Sequence, residues 1–144
     1  MTDTEEPLPP RAEWVAEHYR RYVDSNGADG HLWQGVPTLL LTTHGRRSGR
    51  LRRTPLIYGR DGDAYLIVAS YGGSPTHPDW YLNLRDDPAV TFQVADQVIQ
   101  GRARTATGEE RERLWELMAG IWPDYRNYQK RTTRVIPVVV LEPS

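Results

Sequence analysis

Three β-type runs separated by short turns constrain the fold of this chain most strongly. Thr38–Thr43, Thr54–Tyr58 and Ala64–Ala69 are rich in β-branched, aromatic and other large apolar side chains, which favour extended strands. The segments between them, Gly45–Gly49 and Arg60–Asp63, consist of turn-forming residues. The pattern therefore predicts an antiparallel meander.

Three further runs extend this sheet. Val90–Ala95 and Gln97–Thr105 predict a second hairpin, and the apolar run Val135–Leu141 predicts a final strand. A small antiparallel sheet must protect its edge strands, and closing into a barrel leaves no edge exposed. Together with the helices described next, these runs predict an α+β domain built on a small antiparallel barrel of about six strands.

Helical periodicity occurs at three places. The predicted helices cover 11–24, 78–85 and 108–120. In the first, Val15, Tyr19 and Tyr22 lie on one face, as expected of a helix that covers a barrel. The third follows Thr107 and Glu110, which have the spacing of a capping box.

Length and composition exclude several classes of protein. The 144 residues suit one domain, predicted over 11–144, and the polar, proline-punctuated residues 1–10 predict a disordered tail. A formal charge of −1 gives no overall attraction to nucleic acid or to anionic membranes. There is no cysteine, and no signal peptide or membrane span is recognisable. We expect a cytoplasmic protein without integral membrane association, and peripheral contact through the first helix stays open.

Five arginines within eight residues surround the first turn. They are Arg46, Arg47, Arg50, Arg52 and Arg53. Guanidinium groups match phosphate and carboxylate oxygens, and several converging ones would repel each other without an anion or solvent between them. Strand alternation predicts Arg50 and Arg52 on one face and Arg53 on the other. The charge pattern alone supports an anion site and a solvated hairpin tip equally.

A second candidate region follows the third strand. The strand ends near Ser70, and Gly72 and Gly73 allow backbone to approach a ligand before the short helix begins. Trp80 and Asn83 are one turn apart on that helix and can face the same side of a cleft. By residue type alone, a core position for Trp80 and a loop-bracing role for Asn83 are favoured.

Other chemistries have little support. The four histidines are dispersed, Asp79 does not complete a ligand set, and no metal site is predicted. The sequence lacks a Gly-x-Ser-x-Gly elbow and a phosphate loop, so neither a hydrolase nor a nucleoside triphosphatase is indicated. A nucleic-acid-binding module is not expected, because the remaining surface is not basic.

Five fragments occur in an order and at separations that carry a family resemblance. They are Leu40–Gly49, Arg52–Leu56, Ala69–Ser70 with Gly72–Gly73, Pro78–Leu84, and Pro123–Tyr125 with Ile136–Val139. Over about Pro37 to Pro143, the chain resembles the deazaflavin-dependent nitroreductase and quinone reductase family. The resemblance implies a split β-barrel and the coenzyme F-420, an 8-hydroxy-5-deazaflavin whose tail carries a phosphate and a chain of glutamates.

The same resemblance implies which residues contact this coenzyme. The polyanionic tail would lie on the arginine turn, and the ring end would lie between the Ser70–Gly73 stretch and the short helix. The implied cofactor-binding residues are Arg46, Arg47, Ser48, Arg52, Pro55, Ala69, Ser70, Gly72, Gly73, Trp80 and Asn83. The protein would mainly position the coenzyme, which supplies the hydride.

The implied reaction is hydride transfer from reduced F-420 to a quinone, a nitroaromatic or an activated conjugated double bond. Tyr125 and Tyr128 would hold this small-molecule acceptor, and Ser70 would donate a hydrogen bond near the site of transfer. Trp122 stands where the nitroreductase pattern has Tyr, and Tyr71 stands where it has Lys. A reshaped acceptor pocket is therefore expected, and reduction of nitroimidazoles is not assumed.

Two alternatives share this fold. One is a non-catalytic deazaflavin carrier, and the other is an FMN-dependent oxidoreductase. Only the glutamate-bearing tail of F-420 needs so many arginines, which favours the deazaflavin. The sequence leaves the oligomeric state open between a monomer and a homodimer.

Overall fold

A computed structural model describes residues 13–25, 27–28, 31–33 and 35–144. The predicted tail, the start of the first helix and the side chain of Val15 lie outside this description. The helices are α1 (Glu13–Asp24), α2 (Asp79–Asp86), α3 (Gly108–Ile121) and α4 (Asp124–Lys130). The strands are β1 (Leu32–Trp33), β2 (Val36–His44), β3 (Leu51–Ile57), β4 (Gly59–Asp61), β5 (Ala64–Val68), β6 (Ala89–Val94), β7 (Gln97–Thr105) and β8 (Val138–Pro143). Within these residues, no helix is long and apolar enough to cross a membrane.

All the strand pairs are antiparallel. The strands follow the order β1-β2-β6-β7-β8-β5-β4, and β3 pairs with the other side of β2. The sheet would therefore be open between β3 and β4 if these two strands were independent.

Residues 51–61 form one bent strand that closes the sheet. The Tyr58 N–H still donates to the Pro37 carbonyl of β2 at 3.1 Å, whereas the next residue, Gly59, already pairs with Leu66 of β5. One end of this strand therefore belongs to β2 and the other to β5. Counted in this way, the barrel has the six strands predicted from the sequence, with the two-residue β1 as an addition, and the predicted split barrel is confirmed.

Strand alternation divides the apolar side chains between the barrel interior and its outer face. On β5, Tyr65 and Ile67 point inward, and Leu66 and Val68 point outward. The buried side chains that fill the interior are those of Leu39, Leu41, Tyr58, Tyr65, Ile67, Ala69, Trp80, Tyr81, Leu84, Val90, Phe92, Ala103, Val139 and Leu141. Trp80, Tyr81 and Leu84 come from α2, which therefore plugs one end of the barrel. α3 and α4 cover the outer face of β5 and β8.

A tyrosine hydroxyl fastens α1 to the opposite outer face. Tyr22 is fully buried, and its hydroxyl accepts a hydrogen bond from the Ala95 N–H at 2.7 Å. The same hydroxyl lies 3.1 Å from the Thr38 carbonyl and 3.2 Å from the Gln93 carbonyl, to which its proton is donated. Burial raises the pKa of Tyr22 to about 12, so the phenol stays protonated.

The structure departs from the sequence prediction at three places. Thr107 precedes α3 but makes no side-chain cap, and the Glu110 carboxylate pairs with Arg104, so the predicted capping box is wrong. The aromatic segment after α3 was not predicted to be helical, yet Asp124–Lys130 forms α4. The last strand begins at Val138, and the predicted residues before it lie in a connecting segment.

We expect Tyr22→Phe to lower the free energy of unfolding by about 1–3 kcal/mol, since the buried Ala95 N–H loses its acceptor. The matched control is Tyr19→Phe, one turn away on the same helix face, which should change stability by less than about 0.5 kcal/mol. Urea denaturation measures both. Equal losses in the two variants would show that the hydroxyl of Tyr22 does not fasten α1.

Candidate functional site

The arginine turn is a compact connection between β2 and β3. The Gly45 N–H donates to the Arg50 carbonyl at 2.7 Å, and the Gly49 N–H donates to the Gly45 carbonyl at 2.8 Å. Gly49 has a φ of 72°, which glycine adopts readily. Arg47 and Ser48 are exposed at the tip. Arg50 precedes β3, so the prediction that it shares a strand face with Arg52 is wrong.

Arg46 is held against α2 by a buried amide. Its Nη1 donates to Oδ1 of Asn83 at 2.9 Å, and its backbone N–H donates to the same oxygen at 3.2 Å. The Asn83 Nδ2 donates to the Thr43 hydroxyl at 3.4 Å. The Nη2 of Arg46 also lies 3.4 Å from the exposed Asp79 carboxylate. Asn83 therefore braces the turn and at the same time fixes the direction of one guanidinium group.

Arg52 and Arg53 lie on opposite faces of β3, because successive side chains of a strand alternate. Arg52 pairs with Thr43, whose side chain lies on the barrel's inner face at the rim beside Asn83. Arg53 lies on the outer face, where its guanidinium carbon is 5.9 Å from the centre of the Tyr19 ring. The rim therefore brings Arg46 and Arg52 to the same end of the barrel.

Pro55 does not join this group. It pairs with Leu40, whose side chain packs against α1 on the outer face. The strand itself separates the Pro55 ring from a ligand on the Arg52 face. The ring of Pro55 is therefore not positioned to contact a ligand at the rim, and a role of Pro55 in binding the coenzyme stays a prediction.

The loop after β5 has an unusual backbone. Tyr71, Gly72 and Gly73 have φ values of 47°, 63° and 82°, so three consecutive residues are left-handed. Ser70 is 9% exposed, and the described residues offer its hydroxyl no hydrogen-bond partner. Its proton is therefore available to a ligand. The loop also leaves open space at the Cα of Gly72, where an added Cβ would meet nothing within 4 Å.

Tyr125 and Tyr128, the two residues of α4 that were predicted to hold the acceptor, differ in their exposure. Tyr128 is half-buried, and its hydroxyl accepts from the Trp122 Nε1–H at 3.4 Å. Tyr125 is only 5% exposed and packs between Trp115 and Tyr128, with ring centres 6.2 and 6.1 Å away. Burial, and then the neighbouring Tyr128, raise the pKa of Tyr125. A direct contact between Tyr125 and an acceptor is therefore not supported by its position in the core.

Tyr128 lies beside the left-handed loop. A Cβ added to Gly73 would approach the Tyr128 carbonyl oxygen to 2.6 Å, so glycine is required for this close packing. Arg131, at the end of α4, donates to the Gly72 carbonyl at 3.3 Å. These contacts bring the backbone of Tyr128 and the Ser70 loop together.

α2 connects the two parts of the site. Asp79 and Asn83 contact the arginine turn, and His77, just before the helix, contacts Arg134 beside the Ser70 loop. Trp80 is 8% exposed and fills the barrel end, so its role is mainly packing.

Sequence reasoning missed two contributors, Thr43 and Arg134. Thr43 looked like an ordinary strand residue, and its alternation with Leu41 on the inner face was the available signal. No local pattern distinguished Arg134 from the other arginines, because its partners are distant in the sequence.

The geometry elsewhere does not suggest a competing centre. An open depression of about 640 Å³ lies beside the start of α3 and includes none of the predicted site residues. In the described part of the chain, no three His, Cys, Asp or Glu side chains form a group that could hold a metal ion.

Comparisons with known proteins identify relatives of this chain. The chain is 44% identical over 128 residues to an F420H(2)-dependent quinone reductase of Mycobacterium tuberculosis, with 86% of each chain covered. A solved F420-H2 dependent reductase is 43% identical, with a TM-score of 0.69 over 74% of this chain and 94% of that one. A solved domain-swapped dimer is 39% identical, with a TM-score of 0.71 over 90% and 98% of the two chains.

More distant structures share the fold alone. One of them, described as a pyridoxamine 5′-phosphate oxidase of Listeria innocua, is 17% identical with a TM-score of 0.52 over 74% of this chain and 83% of that one. The model of the F420H(2)-dependent quinone reductase family matches residues 14–143. The chain belongs to this family.

Proposed function

We propose that this protein transfers a hydride from reduced coenzyme F-420 to a quinone. Family membership supports the donor and the acceptor class. The observation that carries the proposal for this chain is the arrangement around α2. Asn83 of α2 contacts Arg46 at a cationic rim, and His77, two residues before the helix, contacts Arg134 beside the loop that presents the free Ser70 hydroxyl.

The residues present fit such a coenzyme. Arg46 and Arg52 lie at the same rim, and the exposed Arg47 and Ser48 extend it at the tip of the turn. These donors suit a phosphate and a chain of carboxylates. When bound, the reduced deazaflavin supplies the hydride. Ser70 would donate a hydrogen bond near the transferring carbon, and the backbone around Ala69, Gly72 and Gly73 would line the ring.

The acceptor side is proposed at Tyr128. Its ring is half-buried, and its backbone packs against the loop that would line the coenzyme ring. An aromatic face suits a flat quinone. Tyr125 would act indirectly, because its buried ring packs edge-on against the ring of Tyr128, at an interplanar angle of 72°.

Assembly and location belong to the same proposal. The similar domain-swapped dimer supports a homodimer over a monomer. A cytoplasmic location remains a prediction from the sequence.

The first test is turnover. Purified protein mixed with reduced F-420 and menadione should oxidise the coenzyme, followed by its visible absorbance, while protein-free mixtures serve as the control. Tight F-420 binding without turnover across a panel of quinones would instead indicate a carrier. A lower dissociation constant for FMN than for F-420 would indicate the FMN-dependent alternative.

Arg46→Ala and Arg52→Ala should each raise the dissociation constant for F-420 by about tenfold or more, because each removes a hydrogen bond to a charged group. Binding by the wild type should weaken with added salt, which screens these partly exposed contacts. Fluorescence titration of the deazaflavin measures both effects. The matched control is Arg113→Ala, which removes a surface arginine paired with Asp61 on the far side of the molecule. Unchanged affinity in both rim variants would reject the tail assignment.

Tyr128→Ala should lower kcat/KM for menadione about tenfold, because the acceptor loses an aromatic surface. The dissociation constant for F-420 should change by less than about twofold. Tyr128→Phe keeps the ring and should retain most activity, and Lys130→Ala, an exposed change on the same helix, is the control. Equal kcat/KM values for the Ala variant and the wild type would place the acceptor elsewhere.

A further inference from the structure

Arg134 lies in the segment between α4 and β8, and its side chain converges on the loop that carries Ser70. Its Nε donates to the Ser74 carbonyl at 2.8 Å, its Nη2 donates to the Ser70 carbonyl at 2.8 Å, and its Nη1 donates to the Ala69 carbonyl at 3.2 Å. Nη1 also lies 3.2 Å from Nδ1 of His77. One guanidinium group therefore contacts residues on both sides of the left-handed segment: Ala69 and Ser70 before it, and Ser74 and His77 after it.

The loop needs such a restraint. A non-glycine residue with positive φ costs about 1–3 kcal/mol and persists only where its surroundings hold it. Tyr71 is such a residue, with a φ of 47°, and its side chain is 61% exposed, so side-chain packing contributes little. Within the loop itself, the Gly73 N–H donates to the Ser70 carbonyl and the Ser74 N–H donates to the Tyr71 carbonyl. The Ser70 carbonyl thus accepts from both the loop and Arg134.

The backbone of Arg134 is fixed by α4. The Gln129 Nε2 donates to the Arg134 carbonyl at 2.8 Å, and the Gln129 Oε1 accepts from the Ile136 N–H at 3.0 Å. One amide side chain therefore holds the backbone on both sides of Val135. Through this contact, the helix that carries Tyr128 and the loop that carries Ser70 are joined by a side chain that belongs to neither.

The contact with His77 is that of a neutral imidazole. Arg134 can only donate, so Nδ1 of His77 accepts and the ring proton lies on Nε2. Burial, and then the charges of Arg134 and Arg85, lower the pKa of His77. The other neighbouring group on α2 is the Tyr81 ring, whose centre is 4.8 Å from that of His77. The four atoms that Arg134 contacts are therefore uncharged acceptors at neutral pH.

We propose that Arg134 is a positioning residue that holds the Ser70–His77 loop in the conformation that receives the coenzyme ring. This inference rests on the proposed function, because it assigns Ser70 to the ring end of the coenzyme. Arg134 does not touch the reacting atoms. It sets the position of Ser70 relative to Tyr128, and small errors in such alignment are costly to the rate of transfer.

Arg134→Gln and Arg134→Lys test the proposal, and Arg126→Gln is the matched control, since Arg126 is exposed on α4 and pairs with Glu116. Lysine keeps the charge but cannot present a planar fork, so Arg134→Lys should restore little of the loop restraint or of the transfer rate. If Arg134→Gln does not fold, Arg134→Lys alone is used for the test. Hydrogen exchange of the coenzyme-free protein should show Gly73 and Ser74 exchanging at least about tenfold faster in the Arg134 variants. The amides of β8 should be unchanged.

Kinetics supply the second measurement. At saturating reduced F-420 and menadione, the rate of hydride transfer should fall about tenfold or more in the Arg134 variants. The dissociation constant for F-420 should rise by no more than about threefold, because the rim arginines that hold the tail are intact. A lowered kcat with a nearly unchanged KM for the coenzyme distinguishes positioning from binding.

Two results would overturn the proposal. If Gly73 and Ser74 exchange as slowly in the Arg134 variants as in the wild type, Arg134 does not restrain the loop. If they exchange faster in the variants but the rate of hydride transfer equals that of the wild type, the restraint serves stability alone. A wild-type protein without quinone turnover would refute the proposed function separately. In that case the exchange of Gly73 and Ser74 still tests the restraint by Arg134, because it is measured without coenzyme or acceptor.

Discussion

The structure depends on one strand that changes partners between two adjacent residues. Tyr58 bonds to β2 and Gly59 pairs with β5, so the sheet closes without an exposed edge between β3 and β4. Gly59 lies close to α3. An added Cβ would lie 2.6 Å from Sδ of Met118 and 2.9 Å from Cδ1 of Ile121, both on α3, so these side chains would have to shift. The absence of a side chain at this position therefore permits the close packing of the helix that covers the strand.

Because the barrel is closed around an apolar interior, the polar side chains of the site lie at its rim. The barrel interior is apolar, and α2 fills one end with Trp80, Tyr81 and Leu84. Asn83, on the same helix, is buried at the rim, where its amide must find partners. It finds them in Thr43 and in the backbone and side chain of Arg46. The hydrogen bonds that the buried Asn83 amide requires thus orient Arg46 without a ligand. This orientation reduces the entropic cost of binding an anion.

Local patterns predicted most of the fold, because strand alternation, turn residues and helical periodicity are short-range properties. The barrel, α2 and α3 follow from them and from the family resemblance, whereas the contact of Asn83 with Arg46 was not predicted. Contacts between different secondary-structure elements explain the errors. Glu110 pairs with Arg104 instead of capping α3, and Tyr125 is drawn into the core by Trp115. Which face of β3 carries Pro55 depends on its register with β2, which the sequence alone does not specify.

The bridge from α4 through Arg134 to the Ser70 loop has a thermodynamic consequence. Gln129, Arg131 and Arg134 couple the order of the loop to the order of the helix end. If a ligand on one side makes this shared region more rigid, a ligand on the other side has less disorder left to remove. Because such coupling is reciprocal, each ligand then strengthens the binding of the other by the same factor. The two halves of the site need not touch the same molecule to be cooperative.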